Sequence, residues 1–366
     1  MLIGIDASPA VKAQPTGTER YTAEIIKSLT AIDRVNRYRL YAPYPPPKEL
    51  RDLGKNTEWR ILPFGPGWTS IRLSAEMLFH PPDLLFVPSN RLPLIHPRKS
   101  VIMFHDLAYR EVPDAFTRYG RFYHWSSVLW AKWFAAHILA PSRFTETALH
   151  RVWNISPART SAIFHGYDAK ILSQRNRKPG RRMIAEPYFY FIGRIESKKN
   201  IARMLRAFAI FKNSHVSAHK FVLSGKPGRG HDAIMATYRA LGPAKKDVLF
   251  TGYVSEDVRD AYMKHAEALA FVSRSEGFGI PVLDAFALGT PVITSDTSSL
   301  PEIAGGAALL ASPDDAEEIA AAMRRMATDR RLKRALIKQG LARAQSFSWE
   351  RAAAKTLAVF RKVGRQ

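Results

Sequence analysis

The chain has 366 residues, 46% of them hydrophobic, which is long for one ordinary core, comfortable for two, and too apolar for wholesale disorder. Lys and Arg number 55 against 32 Asp and Glu, and the excess is spread: 22 against 14 through residue 170 and 33 against 18 beyond it. Cysteine is absent, which excludes disulfides, thiolate zinc sites and cysteine nucleophiles and suits a reducing cytoplasm. The net charge of +23 attracts phosphates of any kind, whether nucleotides, nucleic acid or anionic lipid headgroups, and also serves as a plain solubilising surface.

In chain order, the N-terminal M-L-I-G-I-D-A-S lacks the basic n-region and apolar stretch of a signal peptide and reads as a first buried strand. No apolar run approaches the roughly 20 residues of a membrane-spanning helix, so the protein is expected to be soluble or to lie on a membrane surface. Y-R-L-Y-A, D-L-L-F-V and S-V-I-M-F follow as further strands, with helices at Thr18 to Thr30 and Arg118 to Ala136. The latter mixes aromatics with cations. It reads either as a buried helix with Trp and Phe at core spacing or as an interfacial element on anionic headgroups.

A polar, basic stretch, S-Q-R-N-R-K-P-G-R-R, then interrupts the rhythm, which restarts at Tyr188 to Ile192. F-V-L-S-G, V-L-F-T-G, A-L-A-F-V-S and P-V-I-T-S are strands of this second half. Ala316 to Ala327, Arg331 to Gln345 and Trp349 to Val363 are helices. Alternation of strand and helix throughout predicts an α/β fold with parallel sheets. The expected division is an N-terminal domain at 1–170, a linker at 171–186, a second domain at 187–347, and a terminal helix at 348–366 packing back on the first domain.

The most informative segment is Ser273 to Gly289, S-R-S-E-G-F-G-I-P-V-L-D-A-F-A-L-G, which leaves a strand and enters a helix. Pro281 fits the first helical turn. Gly277 and Gly279 let the backbone approach a ligand, and the helix-start amides favour a phosphate. Glu276 lies ahead of those amides and Asp284 one turn inside the helix. Two carboxylates beside a phosphate would repel it unless they accept hydrogen bonds from hydroxyls, so a nucleotide sugar explains both halves of the segment. In Phe191 to Asn200, F-I-G-R-I-E-S-K-K-N, Arg194 and Lys199 are placed to neutralise a diphosphate, although a solvated loop carries such residues as often. His105 ends an apolar strand, where a histidine also serves as a satisfied interior residue.

Together these segments resemble the retaining GT-B glycosyltransferases of family 4. Members carry a Glu, seven residues and a second acidic residue, and a Gly-Arg with Lys five residues later. Gly17-Thr-Glu-Arg-Tyr21 resembles the N-terminal glycine loop, His105-Asp106 the His-Asp pair, Pro141-Ser-Arg-Phe-Thr145 the Ser-x-x-Thr helix start, and Leu300-Pro-Glu302 the segment after the catalytic helix. The resemblance implies two Rossmann-like parallel-sheet domains facing a central cleft. It implies that Arg194 and Lys199 hold the donor diphosphate, that Glu276 contacts the transferred sugar with the Phe278 and Gly279 amides beside it, and that Asp284 holds the ribose. His105 would sit under the reacting sugar, and Gly17 would let its loop close over the diphosphate. No metal is expected. The donor is a nucleotide sugar, GDP-mannose being favoured over UDP-hexoses, and the acceptor a saccharide or lipid-linked sugar in cell-surface polysaccharide or glycolipid synthesis. The expected setting is the cytoplasm, with visits to an anionic inner membrane surface.

Three departures stand out. Asp284 replaces the commoner Glu, Glu19 stands where many relatives have a second glycine, and His165 replaces a frequent Asn before Gly166, a change expected to affect only the turn. Other readings are a different two-domain nucleotide-sugar enzyme (epimerase or phosphorylase), a degenerate relative, or a basic nucleic-acid-binding protein. The Gly-Arg/Lys pair with Glu276 speaks against an epimerase, and no lysine motif for pyridoxal phosphate stands out. Retention of Arg194, Lys199, Glu276 and His105 speaks against degeneracy, and no recognised motif gathers the charge for nucleic acid.

Overall fold

The computed structural model describes residues 1–12, 17–167, 171, 182–214 and 217–365. The chain falls into two compact units, one of Met1–Leu107, Arg118–Gly166 and Phe347–Gln366, the other of Ala108–Thr117 and Tyr167–Ser346. Most of the expected linker, at 172–181, lies outside the described residues.

The first unit is built on seven strands: β1 (Leu2–Asp6), β2 (Arg37–Ala42), β3 (Thr57–Ile61), β4 (Leu84–Val87), β5 (Ser100–Met103), β6 (His137–Ala140) and β7 (Thr160–Ala162). Their order is β3-β2-β1-β4-β5-β6-β7, and each pairing is parallel. β4, β5 and β6 are buried at every residue, as expected of parallel strands covered on both faces. The order reverses direction between β1 and β4, which opens a crevice beyond their carboxyl ends.

The C-terminal helix Trp349–Gly364 belongs to this unit. Ser348 caps it, accepting from the Arg351 amide. Trp349, Ala353, Leu357 and Phe360 share one core with Ile3, Ile5 and Tyr21, and Phe360 packs on Phe86 at 5.2 Å between ring centroids. Gly166 makes the approach sterically feasible: a Cβ there would stand 2.2 Å from the Trp349 amide nitrogen.

The helix Arg118–Phe134 corrects one of its two sequence readings. Its buried residues are Ser127, Val128 and Ala131, so the stripe facing inward is made of small side chains. Tyr119, Phe122 and Trp133 remain 77%, 62% and 68% exposed. The aromatic spacing is therefore not that of a core.

The second unit repeats the design with β8 (Tyr188–Ile192), β9 (Lys220–Ser224), β10 (Val248–Gly252), β11 (Ala268–Phe271), β12 (Val292–Ser295) and β13 (Leu309–Ala311). The order is β10-β9-β8-β11-β12-β13, again parallel throughout, with the reversal between β8 and β11. Tyr188 through Phe191 are fully buried, and Phe189 packs edge-on against Phe211 of the helix Ile201–Ser214. The helix Ile280–Leu288 is buried at every position except Pro281, in keeping with a sequence that is apolar on all sides apart from Asp284. Two parallel sheets, of seven and six strands, bear out the α/β fold that the alternation predicted and the two Rossmann-like domains that the resemblance implied. Among the described residues no helix is long and apolar enough to cross a membrane.

Candidate active site

Strand order in the second unit decides where its ligand goes. In an open parallel sheet the crevice lies outside the carboxyl ends of the strands at the reversal point. Here those strands are β8 and β11, and the segments leaving them are the two that the sequence singled out: Gly193 to Lys199 and Val272 to Gly279.

The first loop is strapped to its neighbour after β9. The amides of Gly193, Ile195 and Ser197 donate to the carbonyls of Ser224, Lys226 and Arg229, and the Gly228 amide donates back to Ile195. Gly225, at φ +149°, allows this approach, since a Cβ would lie 1.8 Å from the Gly193 carbonyl oxygen. Asn200 then turns the chain in the left-handed region, at φ +60°. Its buried amide nitrogen donates to the carbonyls of Val272 at 3.0 Å and Pro313 at 2.7 Å, fixing the loop to the end of β11. Sequence reasoning gave Asn200 no role. Its signal was the tolerance of Asn for positive φ.

Lys199 and Glu276 meet directly: Nζ lies 2.6 Å from Oε1, with both side chains largely buried. The ammonium also sits 5.3 Å from the centre of the Phe271 ring. Arg194 stands apart, half exposed, with Glu196 at 3.5 Å. Both cations expected to face a diphosphate thus already hold a carboxylate.

The second loop is held by serines from the turn after β12. The Glu276 amide donates to Ser298 Oγ at 3.1 Å, and Ser299 Oγ donates to the carbonyls of Glu276 at 2.9 Å and Phe278 at 3.1 Å. Ser295 Oγ donates to the Ser273 carbonyl. Ser298 occupies the left-handed region at φ +58°, a conformation that costs a non-glycine residue energy and is retained here where its hydroxyl meets the Glu276 amide. These serines escaped the sequence reading because S-D-T-S-S reads as a generic turn. Gly279, at φ +105°, caps the helix Ile280–Leu288, with Pro281 in its first turn. A Cβ at Gly279 would come 2.7 Å from Leu300 Cδ2. Gly277 and Phe278 are buried beside it, and Asp284 is 1% exposed inside the helix.

Gly17 and His105 belong to the first unit. Gly17 opens the helix Gly17–Ile32, and a Cβ there would meet nothing within 4 Å; residues 13–16 of its loop lie outside the described residues. His105 follows β5. Its backbone amide donates to Asn90 Oδ1 at 3.0 Å, and its Nε2 lies 2.8 Å from the Pro88 carbonyl at the end of β4, so the neutral ring carries its proton on Nε2. Burial holds its pKa below the usual histidine value, against the opposing pull of the Pro88 bond and the Asp106 and Glu19 carboxylates. Glu19 pairs with Lys12 at 2.7 Å, giving this departure from the glycine loop a place in an ion pair.

His165 does more than shape a turn, which corrects the sequence expectation. Its fully buried ring stacks on Trp349 at 5.6 Å and lies 4.6 Å from Tyr21 and 5.9 Å from His105. Burial drives its pKa well below the usual value, so it packs as a neutral aromatic.

Comparison with known proteins matches both halves in order. The model for Glycosyltransferase Family 4 covers residues 15–170, and that for Glycosyl transferases group 1 covers residues 173–343. Similar curated proteins include O-antigen chain mannosyltransferase B of Escherichia coli, 25% identical and spanning 98% of this chain and 99% of that protein. Among solved structures, WaaG, a glycosyltransferase involved in lipopolysaccharide biosynthesis, superposes with a TM-score of 0.76 at 16% identity over 98% of this chain and 99% of its own. HepE of Anabaena, in complex with UDP and glucose, gives 0.74 at 18% identity over 99% of each chain. With its two parallel sheets, its Lys199–Glu276 pair at the reversal point and both family models in sequence, the chain belongs to the GT-B glycosyltransferases of family 4, glycosyl transferases group 1.

Proposed function

We propose that the second unit binds a nucleoside-diphosphate hexose, GDP-mannose being favoured, and that the enzyme transfers the sugar with retention onto a saccharide or lipid-linked acceptor in cell-surface polysaccharide synthesis. The observation that carries this reading is the buried Lys199–Glu276 pair at the β8/β11 reversal point, ahead of the amino end of the helix Ile280–Leu288. A diphosphate there would compete with Glu276 for the Lys199 ammonium and draw in the more exposed Arg194. Glu276, released from its ion pair, would accept hydrogen bonds from sugar hydroxyls, and the Phe278 and Gly279 amides would set sugar and phosphate. Buried Asp284 would hold ribose hydroxyls.

In the reaction the anomeric C–O bond breaks towards the diphosphate, whose growing negative charge Arg194 and Lys199 offset. The acceptor oxygen bonds to the anomeric carbon from the same face and passes its proton to the departing phosphate oxygen. His105, kept neutral by burial, would offer lone-pair density to the positive charge developing on the sugar. With two cations doing the electrostatic work, the reaction is expected to proceed in EDTA. Mannose is favoured because the O-antigen mannosyltransferase matches over nearly the whole chain; UDP-hexoses are the alternative that HepE suggests. Incubation with GDP-mannose and with UDP-glucose, followed by chromatography of the released nucleotide, tests this: GDP release that survives EDTA is expected, and release from neither donor would overturn it.

A second reading concerns the place of action, a cytoplasmic enzyme resting on an anionic bilayer. Exposed Trp133 and Phe134 end the helix Arg118–Phe134, and Phe134 contacts His96 beside exposed Leu94 and Ile95. The amides of Leu94 and Ile95 donate to Ser74, which starts the helix bearing exposed Leu78 and Phe79. Exposed apolar side chains thus sit on three segments linked by these contacts, with Lys132 over the Trp133 ring. Such side chains fit the headgroup boundary. Flotation with phosphatidylglycerol vesicles, lost in Trp133→Ser with Phe79→Ser, is expected; no flotation of the wild type would refute it.

A further inference from the structure

Residues Ala108–Thr117 begin three positions after His105 in the chain, yet they pack with the second unit. Ala108, Val112 and Ala115 form a small apolar cluster of their own, which makes the segment a folded piece rather than a plain connection. Two of its side chains grip the two residues immediately ahead of Glu276. Glu111 Oε2 accepts from Ser275 Oγ at 2.5 Å, and Ser275 is fully buried. Asp114 receives both terminal nitrogens of Arg274, at 2.5 and 3.1 Å. That fork geometry holds the Asp114 carboxyl below its usual pKa and orients the guanidinium as well as attracting it.

The backbone of the same loop is fixed from the other side. The Arg274 amide donates to the Lys198 carbonyl at 3.0 Å, one residue before Lys199, and the Glu276 amide donates to Ser298. The loop is therefore clamped twice, through its backbone by the second unit's own turns and through its side chains by Glu111 and Asp114. Two carboxylates close to a site for a diphosphate are electrostatically costly unless each is committed. Here one is committed to a hydroxyl and the other to a guanidinium.

We propose that Glu111 and Asp114 are positioning residues for Glu276, holding Arg274 and Ser275 so that the Glu276 carboxylate meets the sugar in the geometry of transfer. This rests on the reading of Glu276 as the sugar contact. Glu111 and Asp114 act on Ser275 and Arg274, ahead of Glu276, rather than through the chemistry assigned to the cations Arg194 and Lys199. The effect should therefore appear in turnover and leave nucleotide affinity alone.

The test compares wild type, Glu111→Ala with Asp114→Ala, the conservative Glu111→Gln with Asp114→Asn, and Arg194→Ala. Each is measured for donor kinetics, nucleoside diphosphate affinity by calorimetry, and thermal unfolding. The double alanine variant is expected to lose about tenfold or more in kcat while its nucleoside diphosphate affinity stays within about twofold of wild type. The amide variant keeps hydrogen-bonding capacity and should recover part of the turnover. Unchanged kcat in a folded double alanine variant would overturn the proposal. So would kcat and nucleotide affinity falling together, because the segment would then build the diphosphate pocket itself. Failure of the donor reading has a different signature, in which wild type binds no nucleoside diphosphate and Arg194→Ala changes nothing.

Discussion

Lys199→Met removes the ammonium while keeping the aliphatic stem, and leaves Glu276 without its partner in a site where the two side chains are 16% and 9% exposed. Breaking a fully buried ion pair from one side costs about 3–5 kcal/mol, because the remaining charge stays desolvated. Neither side chain is wholly sealed from solvent, so water can relieve part of this, and about 1–3 kcal/mol is expected. For a unit of this size each kcal/mol lowers Tm by about 2–4 °C. Adding Glu276→Gln removes the orphaned charge, and the double variant should regain most of the lost stability, since replacing both partners is close to neutral. Activity should not return, because the diphosphate cation and the sugar carboxylate are both gone. Differential scanning calorimetry with a donor-consumption assay reads the two together. An undiminished Tm in Lys199→Met, or no recovery in the double variant, would refute the claim that the pair is energetically coupled in the free enzyme.

Other outcomes follow from the same geometry. Gly279→Ala places a methyl 2.7 Å from Leu300 Cδ2 at φ +105°, so a fall in stability of more than about 1 kcal/mol and loss of transfer are expected by chemical unfolding and activity assay. Asp284→Ala should weaken nucleoside diphosphate binding about tenfold or more, while the ribose-free pyrophosphate binds as before. On pH, burial holds the folded-state pKa of His105 and His165 below the unfolded value near 6.5, and that of His137 falls to about 4. The unfolded chain therefore takes up protons first. Their contribution is complete above about pH 6.5 and is lost as pH falls below it, by up to about 1.4 kcal/mol per pH unit for each histidine. His165→Asn should flatten the dependence of unfolding free energy on pH between about 6.5 and 5; an unchanged slope would show that His165 charges freely in the folded state.

Much of the fold was legible because parallel strands buried on both faces leave uninterrupted apolar runs. D-L-L-F-V and F-V-L-S-G announced themselves, whereas β3 (Thr57–Ile61), an edge strand with alternating exposure, did not. The site was legible in part for a related reason. A carboxylate at 276 followed by glycines at 277 and 279, with proline in the following helical turn, has few uses other than a ligand loop. What supports that loop was not legible. Ser298, Ser299, Asn200, Glu111 and Asp114 reach it from distant parts of the chain, and each looks locally like an ordinary turn or surface residue. The aromatic helix at 118–134 misled through its spacing, because small Ser127, Val128 and Ala131 fill the inward stripe and the rings are left outside.

The central claim is that the β8/β11 crevice is a nucleoside-diphosphate site built on Arg194 and Lys199. Isothermal calorimetry of the wild type with GDP, UDP, dTDP and ADP, repeated on Arg194→Ala and Lys199→Met, tests it most directly. Selective binding of one nucleotide, weakened about tenfold or more in each variant, is predicted, with GDP the expected ligand. Heat from none of the four with a folded wild type, or binding indifferent to both substitutions, would contradict it.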